Sequence, residues 1–267
     1  MRPILSATRT YNYNLAKWLD EKLKPLSVND HTINDMFLFA DELHEMEINE
    51  HDLLVSYDIS PLFTNVPVDE TIQSIAERAF ENNWFNEEHR LNITKSDLIE
   101  LLRIANKHQL FQFEGNLYQQ VDDVAMGSPL GPLIANALTC NIEKQLETKN
   151  KMPEVYKRYV YGTLSVMTDV ETASEFLTLN NIHTSIDFTM ALKENGRLPC
   201  LGMEVMKNGC SLNTKVYKKP TDSGLLLHYL SHVDGRYKRS LLNTMLNCAF
   251  KLSLHLQGSF FTRDVNA

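Results

Sequence analysis

Few side chains in this sequence have the type and spacing that chemistry requires. Asp58 is an acid set inside a short apolar run, DLLVSYDI (Asp52–Ile59). Its bland role is to cap the loop that follows. Further on, RYVYGTLSVM (Arg158–Met167) places two β-prone runs around Tyr161-Gly162. That pattern predicts a tight hairpin with its tip at the glycine. Hairpin tips present residues to solvent on a rigid scaffold, which suits chemistry. This tip offers a phenol and no acid, base or stronger nucleophile. In AMGSPLGP (Ala125–Pro132), Ser128 reads as a helix cap and Pro129 as the first helical residue. Gly127 beside them permits close approach of another backbone. Lys215, Lys218 and Lys219 in KVYKKPT, and the basic GRYKR at Gly235–Arg239, interleave cations with tyrosine. Such a mixture suits a phosphate backbone with stacking partners, and equally a solvated basic face. The nine histidines show no metal-ligand spacing and the four cysteines no C-x-x-C pair, so no zinc site is expected.

These residues must be held by elements that the periodicity outlines. YNYNLAKWLDEKLKPL puts Leu15, Trp18, Leu19 and Leu23 on one helical face, and Pro25 stops it. A second helix carries Met36, Phe39, Ala40 and Leu43, and the Asp58 run reads as a buried strand. Helices are predicted over Val68–Phe80, Lys95 to about Lys107 with Thr94 as cap, Leu133 to about Glu147, Val170–Leu179 and Arg236 to about Leu256. LFQFEGNLYQQ is a hairpin with its turn at Glu114-Gly115-Asn116, and short strands fall at Ser185–Met190, Cys200–Met206 and Leu212–Val216. Strands and helices interleave irregularly, without repeating βαβ units. That favours an α+β class, an antiparallel sheet covered by helices on one face.

The chain has 267 residues, 43% of them hydrophobic and 22% charged, enough for one large core or two modest ones. Its N-terminus lacks the apolar core of a secretory signal, and no apolar run approaches the roughly 18 residues of a membrane span. An intracellular protein, nuclear or cytoplasmic, with buried reduced thiols and no membrane partner is the expectation. Net charge is −8, yet residues 190–267 hold eleven Lys/Arg against five Asp/Glu, so the basic surplus is concentrated there.

Taken together, five stretches resemble the reverse transcriptase domain of Penelope-like retroelements. SYDISPLFTNVPVDETI (Ser56–Ile72) is similar to the family's first carboxylate motif, with Asp58 at the aspartate and Pro61 in place of the usual serine. YQQVDDVAMGSPLGPLIANALTCNIE (Tyr118–Glu143) resembles the motif that supports template and incoming nucleotide, with Asp123 where glycine is common. SIDFTMALKENGRLPCLGMEV, KVYKKPTDSGLLLHYLS and the opening RPILSATRTYNYNLAKWLDEKLKPL are similar to three further segments, in family order. The resemblance covers nearly the whole chain. It implies a right-hand polymerase fold: part of the fingers over 1–50, a palm over 51–218 with a fingers segment at about 60–125, and the start of a thumb over 219–267. No segment looks like the endonuclease domain that longer family members often carry.

The resemblance also implies RNA-directed DNA polymerisation on an RNA template and DNA primer, with an RNA–DNA hybrid as product. Two Mg²⁺ ions about 4 Å apart would stabilise the attacking and leaving oxygens. In the family one aspartate sits at the Asp58 position and the others form the acidic pair of a Y-x-D-D hairpin. Here RYVYGT aligns with RYVDDT, so Tyr161 and Gly162 stand at both aspartate positions. A phenol is neutral near pH 7 and glycine offers no side-chain ligand. Asp58 is then the single inherited metal-ligand position, and Mg²⁺ is not expected to be held productively. Asp169, eight residues past Tyr161, and Asp122 and Asp123 are the remaining acids considered as substitutes. Gly202 replaces another common aspartate, Cys200 a phenylalanine and Cys248 a common arginine. By the same resemblance Phe63 lies beneath the nucleotide sugar, Arg2 reaches the triphosphate, Gly127, Ser128 and Pro129 let nucleic acid approach, and Lys215, Lys218 and Lys219 meet template phosphates. The expectation is a reverse-transcriptase-fold protein with little or no activity. A non-enzymatic nucleic-acid-binding module and a retroelement remnant without function are the alternatives.

Overall fold

The computed structural model describes residues 10–60, 62–106, 110–119, 124, 127–180, 186–192, 196–223 and 227–253. Over these the chain is α+β and divides into two compact units. One comprises residues 1–32, 58–152 and 174–189; the other comprises 33–57, 153–173 and 190–267.

The first unit is mainly helical. Helix α1 (Tyr13–Leu23) buries Ala16, Leu19 and Leu23, with Leu15 and Trp18 half-buried on the same side. Helix α3 (Val68–Ala79) buries Ile72, Ile75 and Ala76, and α5 (Lys95–Asn106) buries Leu98 and Leu102. The 3.6-residue spacing of these side chains explains why each helix buries one stripe. Thr94 caps α5 as expected. Its hydroxyl accepts from Asp97 N at 3.2 Å, and Asp97 Oδ2 accepts from Thr94 N at 2.8 Å. A short helix α4 (Trp84–His89) lies between α3 and α5 and buries Phe85 against the edge of Trp18 at 6.4 Å. The hairpin β2 (Leu110–Phe113) and β3 (Asn116–Gln119) turns through Glu114 and Gly115, both at positive φ. Helix α6 (Leu130–Thr148) is buried over most of its length. Asn141 on it donates to Ser74 on α3 at 2.7 Å.

The second unit is built on strands. Helix α2 (Met36–Glu45) starts at Asp35, whose Oδ1 accepts from Phe37 N at 2.7 Å and Leu38 N at 3.3 Å. Its Phe39, Ala40 and Leu43 enter one apolar core with Ile33, Ile48, Leu54, Leu164, Leu198, Met203, Val205 and Leu212. Strands β4 (Val155–Tyr159) and β5 (Gly162–Met167) form an antiparallel hairpin. Strands β7 (Arg197–Cys200), β8 (Met203–Asn208) and β9 (Ser211–Val216) form an antiparallel meander. Lys207 fastens this meander: its Nζ donates to the carbonyls of Asn49, Glu50 and Asp52 at 2.9, 2.8 and 2.6 Å. Helix α8 (Gly235–Leu252) is solvent-exposed except near its end, where Leu252 is buried and its carbonyl accepts from Thr214 Oγ1 at 2.8 Å.

Strand β1 (Leu53–Ser60), helix α7 (Val170–Asn180) and strand β6 (Asp187–Leu192) each carry residues of both units, and the four-stranded sheet has the order β4-β5-β1-β6. Three separate sheets are therefore present among the described residues, where one continuous sheet was expected. The reason lies in short connections. Hairpin turns pair each strand with its sequence neighbour, and two of the three sheets close on local pairing alone. All four cysteines are free thiols; Cys140 and Cys200 are buried as expected, whereas Cys210 is exposed in the turn after β8 and Cys248 is half-buried. Among the described residues no helix is long and apolar enough to cross a membrane.

Candidate functional site

Asp58 follows four consecutive buried residues. Leu54, Val55, Ser56 and Tyr57 are all inside, Ile59 is inside again, and Asp58 alone is exposed. Tyr57 anchors this strand. Its hydroxyl donates to the Ala173 carbonyl at 2.9 Å, and burial pushes the phenol far above its ordinary range. The backbone N–H of Tyr57 donates to Thr163 Oγ1 at 3.0 Å, and that hydroxyl donates to the Tyr57 carbonyl at 3.1 Å. One side chain of β5 thus fixes both backbone groups of the residue before Asp58. In the first unit, Thr189 Oγ1 of β6 donates to the Asp58 carbonyl at 3.3 Å.

Although Asp58 reaches solvent, the buried strand around it partly desolvates its carboxyl and raises it above the usual aspartate range. A carboxylate partly withdrawn from water, without a compensating cation, favours the approach of one. Asp58 is suited to be a metal ligand but makes a poor site alone. Among the described residues no three His, Cys, Asp or Glu side chains cluster as a metal holder. Among the described residues, those present do not fit a two-ion Mg²⁺ centre, which needs carboxylates from neighbouring strands.

The β4–β5 hairpin explains why. Tyr159 pairs with Gly162, so the two-residue turn is Val160-Tyr161 and Gly162 is the first residue of β5. The tip is therefore not at the glycine, as the sequence predicts. The chain turns one residue earlier, with Val160 at φ 56°. A positive φ at the first central residue alone is the pattern of a type II′ turn, a place glycine normally fills. Val160 is β-branched, so this backbone is strained by roughly 1–3 kcal/mol. Arg158 supports it: fully buried, its guanidinium donates to the Val160 carbonyl at 3.3 Å. Cys200 Sγ donates to the Thr163 carbonyl at 3.2 Å and ties β7 to the same hairpin. Tyr161 is left 54% exposed at the tip, while Gly162 is buried. Val160, Arg158 and Thr163 position this tip, and sequence reading passed over their roles. The available signal was the alternation in YKRY, which turns Arg158 inward with Tyr156.

Of the substitute acids, Asp169 is engaged elsewhere. Its Oδ1 accepts from Thr172 N at 2.7 Å and caps α7, and that bond holds the carboxyl below its ordinary range. Asp122 and Asp123 lie outside the described residues, as does Arg2.

The remaining predicted residues are placed as follows. Phe63 is half-buried in a short 3₁₀ turn (Leu62–Thr64) after the Asp58 strand, and its carbonyl accepts from Val124 N at 3.2 Å. Gly127 is exposed at φ 105°, a conformation that needs glycine. Helix α6 begins at Leu130 with Pro129 as its N-cap, three residues ahead of the Leu133 start expected from periodicity and one residue after the start that a Ser128 cap implies. Ser128 then caps nothing. Its Oγ is buried without a hydrogen-bond partner, while its carbonyl accepts from Gly131 N at 3.1 Å. Proline at the cap, lacking an N–H and fixed at φ −56°, already has the helical dihedral, so the polar cap moves outside the helix. Lys215 pairs across the meander with Glu204 Oε2, and Lys218 and Lys219 are exposed after β9.

No protein-family model and no curated protein matches the chain. Solved structures do. Telomerase from Candida albicans, solved with a TWJ fragment of telomeric RNA, matches 78% of this chain at TM-score 0.54 and 14% identity. Telomerase from Candida tropicalis, solved with the same kind of fragment, matches 91% at TM-score 0.57 and 13% identity. Apo telomerase from that organism matches 79% at TM-score 0.56 and 12% identity. The chain spans about two fifths of each of these proteins, 39%, 42% and 41% in that order. At such identity the likeness establishes the fold, which is polymerase-like and of the reverse transcriptase kind.

Proposed function

We propose that this chain is a reverse transcriptase domain of Penelope-like descent that has lost polymerase activity and retains a surface for nucleic acid. The observation that carries the reading is the hairpin. Its strands pair in register from Val155–Val166 to Tyr159–Gly162, yet its two carboxylate positions hold an exposed phenol and a buried glycine. Mg²⁺ would meet Asp58 alone from this set, and a single carboxylate leaves the leaving-group side of the transfer without its ion. A loss of several kcal/mol in transition-state stabilisation costs orders of magnitude in rate, tenfold for about each 1.4 kcal/mol. Nucleic acid as partner is supported by the fold, by the RNA bound to two of the solved neighbours and by the basic C-terminal third.

Primer extension on an RNA template with Mg²⁺ or Mn²⁺ tests the loss of activity. No incorporation is expected above background. Robust incorporation that disappears in Asp58→Ala would overturn the reading. The double change Tyr161→Asp, Gly162→Asp restores both carboxylates, and a gain of extension in that variant is the positive counterpart. Retained binding is tested separately: affinity for an RNA–DNA hybrid should fall steeply with salt as phosphate counterions are released. Absence of binding at low salt would leave the remnant without biochemical role.

A further inference from the structure

We infer that the β4–β5 tip is a stacking platform for an unpaired nucleobase, with Tyr161 as the ring that receives it. This rests on the nucleic-acid reading above and names the chemistry that replaces metal binding at the hairpin. Two aromatic side chains are presented there. Tyr161 is 54% exposed within the turn, and Tyr159 is 42% exposed beside it. Tyr159 faces Gly162 across the strands, and a glycine has no side chain to cover the ring. Exposed rings on mobile loops are common and mean little, but this one is held. The turn is closed by the Tyr159–Gly162 pair, and its Val160 carbonyl is fastened by the buried Arg158 guanidinium at 3.3 Å. The next residue, Thr163, is locked to Tyr57 by two hydrogen bonds. The backbone at Val160 is in the left-handed region, φ 56°, which a β-branched residue adopts only when its surroundings impose it. A tyrosine so presented has two rotatable side-chain bonds to order and a broad face to offer.

The ligand follows from the ring. It carries no charge to bind a metal or to repel phosphate. Every base has a π-face, so stacking accepts an unpaired base of any sequence. A paired base is covered above and below, so single-stranded RNA or DNA fits better than duplex. The same unit contains residues 190–267, where the basic surplus lies, and these supply the backbone attraction that stacking lacks.

The test uses the full chain and a short fluorescent oligo-uridine, read by anisotropy, beside a backbone-matched oligomer without bases. Tyr161→Ala should weaken oligo-uridine binding roughly 5- to 150-fold, the range for one lost base stack. Binding of the abasic oligomer should not change. Tyr161→Phe should keep the wild-type preference, because the ring and not the hydroxyl makes the contact. Chelating all divalent metal should change neither. The side chain is largely in solvent, so the Ala variant should unfold at the wild-type denaturant midpoint, which separates lost stacking from lost fold. Equal binding of oligo-uridine by wild type and Tyr161→Ala overturns the inference while leaving the nucleic-acid reading intact. If the wild type binds neither oligomer at low salt, both fall.

Discussion

Two of the three tight hairpins of the second unit turn by different means. Between β7 and β8 the closing pair is Cys200–Met203, and the turn residues Leu201 and Gly202 have φ 55° and 80°. Positive φ at both positions is the type I′ pattern, which calls for glycine at the second. A Cβ on Gly202 would meet nothing within 4 Å, so backbone conformation rather than space selects glycine. Between β4 and β5 the positive φ falls on Val160, and Gly162 sits in the strand without one. The aspartates that the sequence resemblance implies at the Gly202 and Gly162 positions are both absent, but the two glycines have different grounds. Gly202 serves its turn. No backbone requirement accounts for Gly162, and none accounts for Tyr161. Of the two hairpins, only β4–β5 holds a glycine for which the backbone gives no reason.

Perturbing the shared core sharpens this comparison most strongly. Leu164 on β5 and Leu198 on β7 are 1% and 0% exposed in one apolar cluster. Each Leu→Ala change should cost about 2–5 kcal/mol in chemical denaturation, with similar values for the two hairpins. A β4–β5 hairpin that had drifted structurally as well as chemically would show a much smaller cost at Leu164. Next in size is Thr163→Val, which keeps the shape of the side chain and removes its hydroxyl. The Tyr57 N–H and carbonyl then lose their bonds to β5, a loss of about 1–3 kcal/mol. A neutral result would mean that the ladder closes without the hydroxyl.

The turns themselves provide the third contrast, and the two signs are opposite. Val160→Gly relieves a strained φ and should stabilise by about 1 kcal/mol, less the added freedom of the unfolded chain. Gly202→Ala forces a side chain into the left-handed region and should destabilise by about 1 kcal/mol or more. Equal signs in urea titrations would contradict the assignment of the strain.

Helices were legible in the sequence because their signal is local. The stripes Leu19–Leu23 and Phe39–Leu43, and the Thr94 cap, are written within one or two turns of chain. The Asp58 strand was legible because an apolar run surrounds one acid. What could not be read depends on partners far along the chain. The register that makes Val160, not Gly162, the turn residue is fixed by pairing and by Arg158. The bond from Thr163 to Tyr57 spans 106 residues. Ser128 was misplaced by one position because proline at 129 satisfies the helix start by its own ring. The motif resemblance proposed residues for the candidate site; the backbone gives a reason for Gly202 and none for Tyr161 or Gly162.

The smallest expected effect concerns Asp58. Burial raises the Asp58 carboxyl, so the folded chain binds this proton more readily than the unfolded chain. Between the unfolded and folded pKa values the native state carries more protons, and stability falls as pH rises through that window. Below the unfolded value, about 3.9, both states are protonated and the cost is absent. Above the folded value it is fully present. Asp58→Asn removes the charge and should therefore be slightly more stable than wild type at neutral pH. The gain should stay within about 0.5 kcal/mol, because the side chain is exposed to screening solvent. It should vanish on acidification past the ordinary aspartate range. If instead the Asn variant is the less stable at neutral pH, a cation must already compensate the carboxylate in the fold. Titration with Mg²⁺ then extends the contrast between the Asp58 strand and the β4–β5 hairpin. Any metal-dependent rise in wild-type melting temperature that Asp58→Asn abolishes belongs to β1, because Tyr161 and Gly162 have no carboxylate with which to contribute.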